Sequence, residues 1–125
     1  MRELLFIGGG GFIGSIGRFL LSRSVQRAFP EQLFPLGTLT VNVAGCFLIG
    51  LLAALAKDRG VFGPQARLFL IVGVLGGFTT FSAFAYESLE LASGGDFFRF
   101  GLNIVLSVVA GLGAAWLGMA AVKLL

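Results

Sequence analysis

The sequence predicts an all-α integral membrane protein of four transmembrane helices, read as a single domain over residues 1–125. Three observations predict it. Hydrophobic residues make up 57% of the chain and charged ones 12%, with a mean hydropathy of +0.98, far from the composition of a soluble domain. Four apolar segments, Leu4 to Leu21, Pro35 to Ala56, Ala66 to Leu91 and Phe97 to Val122, each reach spanning length. The links between them are short, hold most of the charge and leave no room for a soluble domain. With 20 glycines the helices can pack too closely for one chain to enclose a generous polar pathway, so a homo-oligomer in the lipid bilayer is the expected working unit.

The first segment follows Met1-Arg2-Glu3, is longer than a signal-peptide core and lacks a small-residue cleavage site after it, so it reads as a retained helix. Gly8 to Gly11, Gly14 and Gly17 crowd its middle, and Gly10 with Gly14 forms a small-xxx-small pair for close helix contact. A phosphate-binding reading would need a preceding strand and a βαβ unit, so neither nucleotide nor nucleic acid is an expected partner. Arg18, Arg23 and Arg27 follow on one side. Snorkelling to the interface accounts for them, and so does an electropositive vestibule that gathers anions. Ser24 to Phe34, with Pro30, reads as the first loop.

The second helix opens with Pro35, whose missing N–H suits a first turn. Thr38, Asn42 and Cys46 share a face at four-residue spacing. Asn42 is a full amide inside an apolar helix: an interhelical hydrogen bond explains it structurally, and two donors offered to a desolvating anion explain it functionally. The single cysteine, Cys46, excludes a disulfide framework within the chain. Lys57-Asp58-Arg59-Gly60 reads as the second loop.

The third segment is the one around which the chain is organised. At ~1.5 Å per residue, a straight helix from Ala66 to Leu91 overshoots a hydrocarbon core of ~30 Å. Its middle reads Gly76-Gly77-Phe78-Thr79-Thr80-Phe81-Ser82-Ala83-Phe84, so a break is expected at mid-membrane, where Gly76 and Gly77 sit. Backbone freed by a break must be buried in protein or must face an ion or water. Beyond it, Glu87 is deep enough to need a partner or a water-filled neighbour, while Glu90 lies near the end. The fourth helix is entered through Ser93-Gly94-Gly95-Asp96 and carries Asn103, Ser107 and Gly111 on one face. Spacing alone allows that stripe to be packing or pathway lining.

Phe78, Phe81 and Phe84 recur every three residues, so successive rings share a face of a helix. A ring edge carries partial positive charge and attracts a small anion without a fixed cation that would trap it. The hydroxyls of Thr79, Thr80 and Ser82, with Asn42 and Ser107 from other helices, are donors able to replace part of a halide's hydration shell. No carboxylate pair, His/Cys ligand set or nucleophile–base couple accompanies them, which excludes an enzyme and favours permeation.

These residues resemble the Fluc/CrcB family of bacterial fluoride channels along nearly the whole chain. The resemblance rests on Gly14 to Phe19 with its GxxxR, on Pro35-x-Gly-Thr-Leu-x-Val-Asn42-x-x-Gly45 and on Gly-Gly-Phe-Thr-Thr-Phe-Ser-Ala-Phe-x-x-Glu87. It implies a multi-pass protein of the bacterial inner membrane that passively exports cytoplasmic fluoride as an antiparallel, dual-topology homodimer. By similarity, Phe81, Phe84, Asn42, Ser82, Thr80, Ser107 and Glu87 belong to the fluoride pathways and Arg18 to the vestibule. The carbonyls of Gly76 and Thr79 correspond to ligands of a central structural Na⁺. Ala83, Asn103 and Gly111 depart from the residues common at those positions. The alternative, a small dual-topology drug/proton antiporter, wants an acidic residue in the first helix, and Glu3 is the sole one there. A third option, an assembly subunit of a larger membrane complex, would be inert to fluoride.

Four spans place Arg2, Lys57, Arg59, Arg67 and Lys123 on the side of the termini and Arg18, Arg23, Arg27 and Arg99 on the other, five cations against four. So small a bias predicts insertion in both orientations.

Overall fold

The computed structural model describes residues 1–124, all helix and connection, with no strand among them. The elements are α1 (Arg2–Ala28), α2 (Leu36–Asp58), the short α3 (Pro64–Arg67), a π-helical stretch (Leu68–Leu75), α4 (Gly76–Phe78), α5 (Phe81–Ser93) and α6 (Phe97–Val122). Four helical spans of 27, 23, 30 and 26 residues are long and apolar enough to cross a membrane, the third running from Pro64 to Ser93.

The helices reach further than the apolar segments alone suggest. α1 continues to Ala28, so Ser24 to Ala28 are helical rather than loop, and Lys57 and Asp58 close α2. Charged side chains of this length tolerate a helix end because their stems cover apolar surface while the heads reach water. Pro35 caps α2 from just outside it. The connection before it is tied down by Gln26, whose amide donates to the Gln32 and Phe34 carbonyls (3.2 and 3.5 Å) and accepts the Gly37 N–H (3.3 Å).

Packing is carried by backbones in close approach rather than by a large apolar core, as expected where the surroundings are as apolar as the side chains. α2 packs most extensively on α6, and α1 on the π-helical stretch and α4. A Cβ at Gly10 or Gly14 of α1 would strike the carbonyl oxygen of Phe69 or Val74, so the small-xxx-small pair meets the third span. Gly50 and Gly118 do the same between α2 and α6, against the carbonyls of Ala115 and Phe47.

The expected break at Gly76 and Gly77 needs correcting. Both glycines are helical, and a Cβ at Gly77 would lie 2.5 Å from the Gly11 carbonyl oxygen. The absent side chain at Gly77 lets α4 approach α1. Helical dihedrals are lost instead at Thr79 (φ −83°, ψ 157°) and Thr80 (φ −151°, ψ 115°), and resume at Phe81.

Candidate functional site

The extended pair Thr79–Thr80 must place its backbone polar groups somewhere other than a helix. Asn42 of α2 receives them: its Oδ1 accepts the Thr80 N–H at 2.8 Å and its Nδ2 donates to the Thr80 carbonyl at 3.0 Å. One side-chain amide thus makes the two bonds that a neighbouring strand would make. The Thr79 N–H and hydroxyl both donate to the Leu75 carbonyl at 3.0 Å, which closes α4. The Thr80 hydroxyl accepts the Ala83 N–H at 3.2 Å and so caps α5, and it lies 3.2 Å from the Ser82 hydroxyl. Gly45, one turn from Asn42, leaves the room that the Thr79 methyl fills.

Around this interruption lies a groove of about 440 Å³, lined by Asn42, Cys46, Gly76, Thr79, Thr80, Phe81, Phe84 and Ser107 together with aliphatic residues. No charged side chain lines it. The Phe81 and Phe84 ring centroids are 5.5 Å apart with their planes tilted by 46°, and Phe81 is 80% exposed on the surface of the single chain. Such a lining offers hydroxyl and amide donors beside aromatic edges, a combination that can hold a small dehydrated anion weakly enough to release it.

A second cavity of about 820 Å³ lies at the end bearing the α1–α2 and α5–α6 connections. Arg18, Arg23, Thr38, Glu87, Glu90 and Asp96 are in its wall, and Thr80 lines both this cavity and the groove. The Thr38 hydroxyl donates to Glu87 Oε1 at 2.7 Å, while Glu87 Oε2 is buried with no partner among the described residues. Arg23 places its guanidinium 5.5 Å from the centre of the Phe19 ring. At the rim, the Arg99 N–H donates to Asp96 at 3.0 Å and the Arg99 guanidinium pairs with it at 2.7 Å. These contacts hold the Asp96 carboxyl below the ordinary carboxylate range, the backbone N–H contributing most.

The site residues named from the sequence therefore divide. Asn42, Thr80, Phe81, Phe84 and Ser107 share the groove with Gly76 and Thr79, whereas Arg18 and Glu87 stand in the second cavity. Ser82 touches the Thr80 hydroxyl and lines neither. The α6 stripe divides too: Ser107 reaches the groove, and Asn103 is buried with its amide on the Ser88 hydroxyl at 2.9 Å. Two partners escaped the sequence reading. Thr38 had a signal, its spacing of one turn from Asn42; Ser88 had none. Among the described residues no three or more His, Cys, Asp or Glu side chains gather to hold a metal.

The model of the CrcB-like protein, camphor resistance (CrcB) family matches residues 5–119. Proteins named fluoride-specific ion channel FluC are similar along nearly their whole lengths. That of Chlorobium luteolum is 43% identical over 121 residues, covering 97% of this chain and 92% of the relative. That of Campylobacter jejuni (serotype O:23/36) is 47% identical over 118 residues, with 94% and 95% covered. That of Opitutus terrae is 50% identical over 120 residues, with 94% and 90% covered.

Proposed function

The chain belongs to the CrcB-like family, and on that premise we propose that it is a fluoride channel, a multi-pass bacterial membrane protein rather than an enzyme. The observation that carries the reading is the uncharged groove at Thr79–Thr80, where two phenyl rings and the Asn42, Thr80 and Ser107 side chains converge. Fluoride entering it exchanges water for ring edges and hydrogen-bond donors. Asn42 gives one amide N–H to Thr80 and keeps a second for an anion. The second cavity, with Arg18 and Arg23 in its wall, serves as the vestibule. Reconstituted liposomes loaded with fluoride test the reading: passive efflux that outruns chloride supports it, and fluoride-tight vesicles overturn it. Proton-coupled drug export would want a membrane-embedded acid in α1, whose sole acidic residue is Glu3 in the first turn.

The working unit is an antiparallel, dual-topology homodimer, with the third span broken near mid-membrane at the dimer axis. Supporting this, the groove is open on one side, Phe81 is bare, and the cation bias between the two ends is one charge. Two inverted copies would bring equivalent interruptions together.

A structural Na⁺ at that axis would be held by the carbonyls of Gly76 and Thr79. The residues present fit such an ion. In an uninterrupted helix the Thr80 and Ala83 N–H groups would close on these two carbonyls, but the first donates to Asn42 and the second to the Thr80 hydroxyl. Gly76 is exposed, and a Cβ there would meet nothing within 4 Å, as a position facing a second copy requires. Neutral carbonyl oxygens suit a hard cation, which when bound supplies positive charge at the centre of an apolar assembly. The side chain of Thr79 is then more replaceable than its backbone conformation. A dimer indifferent to removal of Na⁺ overturns this assignment.

A further inference from the structure

We propose that Ser88 and Asn103 are positioning residues for Phe84, acting through the backbone of α5; the proposal rests on the channel reading of the groove that Phe84 lines. The observation is a directed chain of hydrogen bonds. Asn103 Nδ2 of α6 donates to Ser88 Oγ at 2.9 Å, and the Ser88 hydroxyl donates onward to the Phe84 carbonyl at 2.7 Å. Both side chains are almost fully enclosed, Asn103 2% and Ser88 4% exposed, so water does not compete for these bonds. Phe84 itself does not touch Asn103 by any polar contact. It is held one turn away, through the carbonyl of its own residue.

What makes the link consequential is how lightly α5 is packed. It lies against α6 and, less extensively, against α2, whereas α2 and α6 clasp each other over their length. Its long-range side-chain bonds among the described residues join three residue pairs: Asn42 and Thr80 at its cap, by two bonds, Thr38 and Glu87, and Asn103 and Ser88. The first two run to α2, and the third runs to α6, adding a directed bond to the packing of α5 on α6 that opposes rotation of α5 about its axis. A rotation of about 10° swings a ring carried about 5 Å from the helix axis by roughly 1 Å. A shift of that size would move the Phe84 ring relative to Asn42 and Ser107, which line the same groove from α2 and α6. In an apolar helix an amide that faced the ion path would gain donors for the ion but would leave α5 free to turn. Asn103 is spent on the second task, and Ser107, one turn further along α6, is the residue of that stripe which lines the groove.

The test uses the full-length protein, reconstituted with its own Phe84 for fluoride efflux and with para-fluorophenylalanine at position 84 for fluorine NMR. Asn103→Leu keeps the branched shape and deletes the donor; Ser88→Ala deletes the relay; Ser88→Thr keeps the hydroxyl. The expected result is one narrow resonance in the parent and in Ser88→Thr, and broadened or split signals in the other two. Efflux should fall about tenfold in those two variants with assembly unchanged, and the double variant should be no worse than either single one. An unaltered resonance in both Asn103→Leu and Ser88→Ala overturns the proposal, as does a loss of melting temperature with wild-type efflux and selectivity. Should the parent itself pass no fluoride, the channel reading fails, while the ring resonance still decides whether the pair positions Phe84.

Discussion

Asn42 and Thr80, on different spans and 38 positions apart, pair as two strands would, side-chain amide to main-chain amide at 2.8 and 3.0 Å. The interruption of the third span is therefore held in place from α2 and does not depend on weak local helix propensity. It also explains how extended backbone survives inside an apolar assembly, since both of Thr80's main-chain groups are satisfied.

Asn42→Ala should leave the half-buried Thr80 N–H and C=O unpaired, and should lower both the melting temperature and fluoride efflux. Asn42→Asp keeps the acceptor for the Thr80 N–H, loses the donor to its carbonyl and sets a negative charge beside the anion path. Efflux should fall further in Asp than melting does. Wild-type conductance in the Asp variant would remove Asn42 from the pathway.

Phe81→Ile and Phe84→Ile preserve apolar bulk and delete the ring quadrupole. If each ring contributes on the scale known for a desolvated ion on an aromatic group, about 2 kcal/mol, efflux should fall more than tenfold in either variant. Elution on a sizing column should be unchanged. Unaltered efflux in both would reduce the rings to packing.

Asp96 caps α6, and Arg99 holds its carboxyl below the ordinary range. A group with a depressed folded value stabilises the fold above its unfolded value and loses that contribution as pH falls through the lower folded one. Asp96→Asn keeps a capping oxygen but does not titrate. Parent and variant should differ in melting temperature near neutrality, and the gap should begin to close as the pH falls below about 3.9, the ordinary aspartate value, and vanish below the lower folded one. A gap that stays constant across that range would contradict the assignment.

C-terminal reporters read on the two membrane faces should both give signal, since five cations on one side against four on the other give the insertion machinery little to choose by. A single orientation for every molecule would show that the antiparallel dimer has another origin or does not form.

The four spans were legible because each contains an apolar stretch long enough to cross a membrane, and the Phe81–Phe84 face because its three-residue spacing survives in α5. The site of the interruption was misread by a few residues for a physical reason. A glycine marks either freedom of the chain or the approach of another backbone, and Gly77 serves the second against Gly11. The π-helical stretch Leu68–Leu75 left no trace in the sequence, as an unbroken apolar run has the same appearance with either helical pitch. Nor could spacing along one helix show that Glu87 would find Thr38, or Asn103 would find Ser88, since both bonds depend on how separate helices meet.

The three bonds made by Gln26 render the chain's short connections unequal as places to cut or extend it. The link after α1 is laced to the helix that precedes it and encloses the buried Phe34, so an epitope inserted there must unfasten a wall of the larger cavity. Between Arg59 and Gly63 the backbone turns at Gly60 with φ +61°, Val61 is 60% exposed, and the one side-chain bond runs from Arg59 to the Val122 carbonyl. That hinge is where antibody tags or the new termini of a circular permutation will be accepted.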